Sequence, residues 1–157
     1  MVPEPEESME LTQLLAADRI VTIKEPTKEA ALKALVKVLG KTSAVGKEKD
    51  LAKAISDRER ILSTGIGYGI AIPHAKIATV KAFIAAIGVS KAGIPFESLD
   101  GKPVNIVIMI AGPEGQNEEY LRILARFTNV LKSEQTRTRI IDAKKPEQVL
   151  AILGESR

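Results

Sequence analysis

One stretch of this chain concentrates its chemical potential: Ser63-Thr64-Gly65-Ile66-Gly67-Tyr68-Gly69-Ile70-Ala71-Ile72-Pro73-His74. His74 is the only histidine among 157 residues. An imidazole is nucleophilic near neutral pH, because its reference pKa is about 6.5. If one ring nitrogen donates to a backbone carbonyl, the other keeps its lone pair free to attack, which suits a phosphoryl acceptor. A phosphorylated ring places a dianion beside the backbone, so N–H groups and an arginine would be needed to hold it. Gly65, Gly67 and Gly69 alternate just upstream, where they allow positive φ and close backbone approach. Pro73 stiffens the step into the histidine. A solitary histidine is more often an ordinary surface or core residue; its setting is what marks this one out.

Arg58 is the nearest upstream arginine with an unusual position. It falls seven residues after Leu51 on an otherwise apolar helical stripe, so its charge aligns with a core face. Two readings stay open from the periodicity. The stem could pack while the head reaches water, or the guanidinium could be aimed at an anion near the helix end.

Other chemistries are set aside by composition. There is no cysteine, which excludes disulfides, thiol catalysis and Cys-based zinc sites. One histidine makes neither a His–His dyad nor a His-rich metal site, so neither metal nor cofactor is expected. The glycines read Gly-x-Gly-x-Gly, not Gly-x-Gly-x-x-Gly, and no lysine stands in a Walker A position, which weakens a nucleotide-binding reading. Aromatic residues are only 3%, without tryptophan, which argues against base stacking and nucleic acid as a partner. The net charge of +3 is mild. The one basic concentration is Lys132, Arg137, Arg139, Lys144 and Lys145, which reads as a solvated helix face or a docking patch for an acidic partner. The N-terminus is acidic and lacks the apolar stretch of a signal peptide. No apolar run approaches the roughly 18 residues of a membrane span. A soluble, cytoplasmic protein is expected.

These residues need a scaffold, and its elements can be read from periodicity. Residues 1–8 read as a flexible tail, followed by one domain over 9–157. Leu11, Leu14 and Leu15 suggest a short helix. Ile20–Ile23 is a β-branched strand signal. Pro26-Thr27 opens a helix with Leu32, Leu35, Val36 and Leu39 as its buried stripe and Gly40 as its stop. A second helix runs from about Glu48 to Leu62, with Leu51, Ala54, Ile55 and Leu62 apolar. Phe83–Val89 and Val104–Ile110 read as strands, the latter apolar enough to be buried on both faces. After a turn at Gly112–Gly115, Tyr120, Ile123, Leu124, Phe127 and Leu131 mark a long helix. Pro146 starts a last helix bearing Val149, Leu150, Ile152 and Leu153. The alternation implies a single α/β domain, a central mixed β-sheet flanked by helices on both faces. Sites in such folds lie on loops at the sheet edge.

The pattern Arg58-Glu59-x-x-x-Ser63-Thr64-Gly65-x-Gly67-x-Gly69-Ile70-Ala71-Ile72-Pro73-His74 resembles the signature of the fructose/mannitol class of phosphotransferase-system IIA domains. That class includes the nitrogen-regulatory IIA proteins. The resemblance runs from about Met9 to Leu153. It implies that His74 accepts a phosphoryl group from an HPr-like carrier and that Arg58 steadies the phosphate. Ser63, Thr64, Gly65, Gly67 and Gly69 would form the phosphate-binding loop. Many members carry a second histidine where this chain has Tyr120. A tyrosine can donate a hydrogen bond but brings no positive charge at neutral pH; equally, Tyr120 could be a packing residue on its helix face. Two roles follow from the resemblance. One is a phosphocarrier that passes the group to a IIB partner. The other is a regulatory protein whose binding to a kinase or transporter depends on the state of His74. A chain of one domain without a fused IIB or IIC segment favours the second.

Overall fold

The computed structural model describes residues 10–155. The tail expected at residues 1–8 lies outside the described residues. The elements are α1 (Leu11–Leu14), β1 (Ile20–Thr22), α2 (Lys28–Gly40), α3 (Glu48–Ile61), β2 (Gly65–Gly67), β3 (Ile70–Ala71), β4 (His74–Lys76), β5 (Ile84–Ile94), β6 (Val104–Gly112), α4 (Asn117–Leu131), α5 (Glu134–Asp142) and α6 (Pro146–Glu155). The sheet runs β1-β5-β6-β3-β2, and β4 pairs with β6 beyond β3. It is mixed, as expected. β1 is parallel to β5, β5 antiparallel to β6, and β6 parallel to both β3 and β4.

Alternation along the central strands splits the core in two. Ala85, Ile87, Ile106, Ile108 and Ile110 face α1, α4, α5 and α6, where they meet Leu11, Ile123, Phe127, Ile140 and Ile152. Ile84, Ala86, Val107, Met109 and Ala111 face α2 and α3, where they meet Leu35, Leu39, Leu51 and Ile55. β6 is thus buried on both sides, which is why its sequence is a continuous apolar run rather than an alternating one.

Local chemistry places the helix ends. The Thr27 hydroxyl accepts the Ala30 N–H at 3.2 Å and caps α2, and Ser133 does the same for α5 through Thr136 at 3.2 Å. α6 begins at Pro146, the position where a missing N–H costs nothing. Three expectations change. On α3 the buried stripe is Leu51, Ile55 and Glu59, at i, i+4 and i+8, while Arg58 is half-buried. Leu62, counted with that stripe, leaves the helix in extended geometry and is 61% exposed. On α2, Ala31 is fully buried and Leu32 only partly. Among the described residues no helix is long and apolar enough to cross a membrane.

Candidate active site

His74 opens β4, and its register partner is Ile110 on β6. Pro73, with no N–H to give, separates β3 from β4, and its carbonyl accepts the Ile110 N–H at 3.0 Å. The two short strands therefore hang on one long strand, buried at every position but Asn105, which gives the histidine a rigid base. Its Nδ1 lies 2.7 Å from the Ile72 carbonyl oxygen. A carbonyl only accepts, so in the neutral ring Nδ1 carries the proton and Nε2 carries the lone pair. Burial disfavours the imidazolium and holds the His74 pKa below its ordinary 6.5; the Ile72 carbonyl opposes that, Arg58 and Lys76 add to it, and Glu59 opposes it.

Arg58 comes from the last turn of α3. Its Nη1 donates to the Leu62 carbonyl at 2.8 Å, closing the end of its own helix. Its charge reaches both His74 and Tyr120. One guanidinium N–H thus serves the helix end, a bond that neither sequence reading contained, while the charge acts on the imidazole.

Tyr120 projects from the first turn of α4, and its ring centroid lies 5.4 Å from that of His74. Phe83 stacks behind it at 6.3 Å, and the Lys76 ammonium lies 4.8 Å from its centroid. Lys76 also donates to the Asn117 side chain, tying β4 to the start of α4. The Tyr120 hydroxyl is buried with no hydrogen-bond partner among the described residues. Desolvation pushes its pKa up to about 12, so it is a neutral donor at physiological pH. An unpartnered buried hydroxyl costs about 1–3 kcal/mol, and here it belongs to the ring that packs against His74.

The loop residues face elsewhere. The Ser63 hydroxyl donates to the Phe96 carbonyl at 2.5 Å and the Thr64 hydroxyl to Glu59 at 2.6 Å. Gly65 pairs with Ala71, and a Cβ there would collide with Ser98. Gly67 and Gly69 have φ of 99° and 76° and line a cleft with Tyr68, Asp100, Lys102 and Arg137, a lining that does not include His74. The structure brings together His74, Arg58 and Tyr120. It adds Lys76 and Glu59, which carried no assigned role in the sequence reading. Glu59 was detectable, since it lies at i+8 from Leu51. Among the described residues no group of three or more metal-ligating side chains occurs.

The arrangement has relatives. The family model described as "Phosphoenolpyruvate-dependent sugar phosphotransferase system, EIIA 2" matches residues 13–156. The chain belongs to this family. It is similar to the fructose-specific EIIABC component of Bacillus subtilis, at 38% identity over 94% of this chain; the chain spans 23% of that protein's length. It is similar to the fructose-specific EIIA component of Haloferax volcanii at 32% identity, covering 87% of this chain and 90% of that one. The crystal structure of the nitrogen regulatory protein IIA-Ntr from Neisseria meningitidis superposes with a TM-score of 0.85 at 27% identity, covering 91% of this chain and 98% of that one. The IIA mannitol domain of Escherichia coli, solved in complex with phosphorylated IIB mannitol, superposes with a TM-score of 0.78 at 25% identity, covering 90% and 97%. This IIA domain therefore shares its fold and family with both sugar-specific and nitrogen-regulatory members.

Proposed function

We propose that this IIA domain is a phosphocarrier that accepts a phosphoryl group on Nε2 of His74 from an HPr-like donor and passes it to a IIB partner. The observation that carries the proposal is the Nδ1 contact to the Ile72 carbonyl, which leaves Nε2 as the only free lone pair on the ring. In the transfer, the Nε2 lone pair attacks phosphorus as the donor's N–P bond breaks, and the donor nitrogen keeps that bonding pair. The proton stays on Nδ1, which goes on donating to the Ile72 carbonyl. Arg58 offsets the incoming dianion, and the Tyr120 hydroxyl donates to a phosphoryl oxygen, acquiring the partner it lacks. Ser63 and Thr64 serve by holding the loop, because their hydroxyls are committed to Phe96 and Glu59. The same reading places the chain in the cytoplasm. A regulatory use of the phosphorylated state, gating the binding of a kinase or transporter, is favoured by the likeness to IIA-Ntr.

Incubation with phosphoenolpyruvate, enzyme I and HPr tests the proposal. The expected product is one adduct, lost in acid, stable in base and absent from His74→Ala. Normal adduct yield in that variant overturns the assignment. Adding a IIB domain then separates the two uses: discharge of the adduct marks a carrier, retention a regulator.

A further inference from the structure

Glu59 is a carboxylate only 8% exposed, on the inner face of α3. Phosphoryl transfer at Nε2 does not touch it, yet every oxygen it has is used. Oε1 accepts the Thr64 hydroxyl at 2.6 Å, and Oε2 accepts the Thr64 N–H at 2.7 Å. Oε2 also meets the Lys28 ammonium at 2.8 Å. Lys28, 9% exposed at the start of α2, has its ammonium 4.9 Å from the Phe96 ring centroid. The bonds continue past Thr64. Its carbonyl accepts the Ile72 N–H at 3.0 Å, and the Ile72 carbonyl takes the His74 Nδ1 contact at 2.7 Å.

Stability alone is a weak reason for such a cluster. A buried ion pair is commonly no better than a well-packed apolar pair, because desolvation offsets the attraction. What the cluster achieves is placement. Thr64 is held at its hydroxyl, its N–H and its carbonyl, so it has one position relative to α3. Ile72 is then held by Thr64, and the imidazole by Ile72. Arg58, next to Glu59 on α3, is fixed by the same anchoring. We propose that Glu59, with Lys28 as its counter-ion, is a positioning residue for His74. Through Thr64 and Ile72 it holds the imidazole with its proton on Nδ1 and its lone pair on Nε2. This deepens, and rests on, the reading of His74 as the phosphoryl acceptor.

The test uses the full chain with 15N-labelled histidine, whose single imidazole reports its tautomer at about pH 8, above its pKa. Thr64→Val removes the hydroxyl and keeps the shape; Thr64→Ser keeps the hydroxyl. The double variant Lys28→Met/Glu59→Gln removes both charges and leaves neither buried alone. The parent and Thr64→Ser are expected to hold the proton on Nδ1. Thr64→Val and the double variant are expected to mix in the Nε2–H form. In phosphorylation by HPr they should lose kcat by up to about 100-fold, the scale of an ångström's misplacement, with KM for HPr unchanged. Folded variants that keep the parent tautomer and kcat overturn the proposal. If the double variant fails to fold, the Thr64 pair decides by the same two results. The tautomer is read without any phosphoryl donor. A parent that takes up no phosphoryl group therefore sinks the acceptor reading and leaves the positioning to be settled by the spectrum.

Discussion

At the scale of single residues, the proposed transfer separates groups that would act on the fold from groups that would act on the phosphate. Tyr120 is the clearest case, because its hydroxyl is buried and unpartnered. Tyr120→Phe removes a stranded donor and should raise unfolding stability by about 1 kcal/mol. The same change should slow phosphorylation or shorten the adduct's lifetime, because the phosphoryl oxygen loses a donor. A melting curve and a single-turnover rate would show opposite signs; an unchanged rate would make Tyr120 a packing residue. Arg58 should behave the other way round. Its bond to the Leu62 carbonyl at 2.8 Å closes a helix end near the surface, so Arg58→Gln should cost the fold only about 0.5–1.5 kcal/mol. In the proposed transfer a charge-assisted contact with the phosphoryl group would be worth about 1.5–3 kcal/mol, so the adduct should form or persist roughly 10–100-fold less well. A variant that melts early yet phosphorylates at the parent rate would mark Arg58 as structural.

At the scale of elements, the end of β6 connects the sheet to the site. Gly112 pairs with Lys76, and a Cβ added there would collide with the Phe83 ring. Phe83 stacks on Tyr120. Gly112→Ala should therefore destabilise by about 1–3 kcal/mol, the scale of overpacking, and should also lower phosphotransfer by moving Tyr120. Denaturant unfolding with a transfer assay checks both, and a loss of stability with an unchanged rate would uncouple the strand end from the site. The elements that the sequence revealed are those with an apolar stripe or run, however short: α1, β1, α2, α3, β5, β6, α4 and α6. α5 escaped because it is polar, with Ile140 its only buried residue. β2, β3 and β4 escaped because they are two or three residues long, two of the three in β2 being glycine, which leaves no period to read. His74 was legible through its Pro-His setting. Lys28 was not, because its partner lies on another helix and a single lysine at a helix start looks like any solvated one.

At the scale of the whole molecule, the lone imidazole gives stability a definite pH signature. Its pKa in the folded protein lies below the unfolded value of about 6.5. Between the two values the unfolded chain binds more protons, so stability rises with pH across that window. The contribution is complete above about pH 6.5 and is lost as pH falls through the folded value. Urea unfolding of the parent and of His74→Ala, compared from pH 7.5 down to 5, should show the parent losing ground; a parent that gains would mean a raised pKa. The two core layers carry a different consequence. Leu11 and Leu14 of α1 share their cluster with Val149, Ile152 and Leu153 of α6, and among the described residues β1 finds its one strand neighbour at Ile87–Val89 of β5. The first segments described therefore complete their packing only when α6 joins the strands and α4. During synthesis, the side of the sheet opposite α2 and α3 is covered in stages, by α4 and α5 first and by α6 last among the described helices. The half built from α2, α3 and the central strands, which carries Arg58 and His74, has its partners much sooner. Closing such distant contacts is slow, so the last step of folding should be the arrival of α6, well after the ground beneath His74 has set.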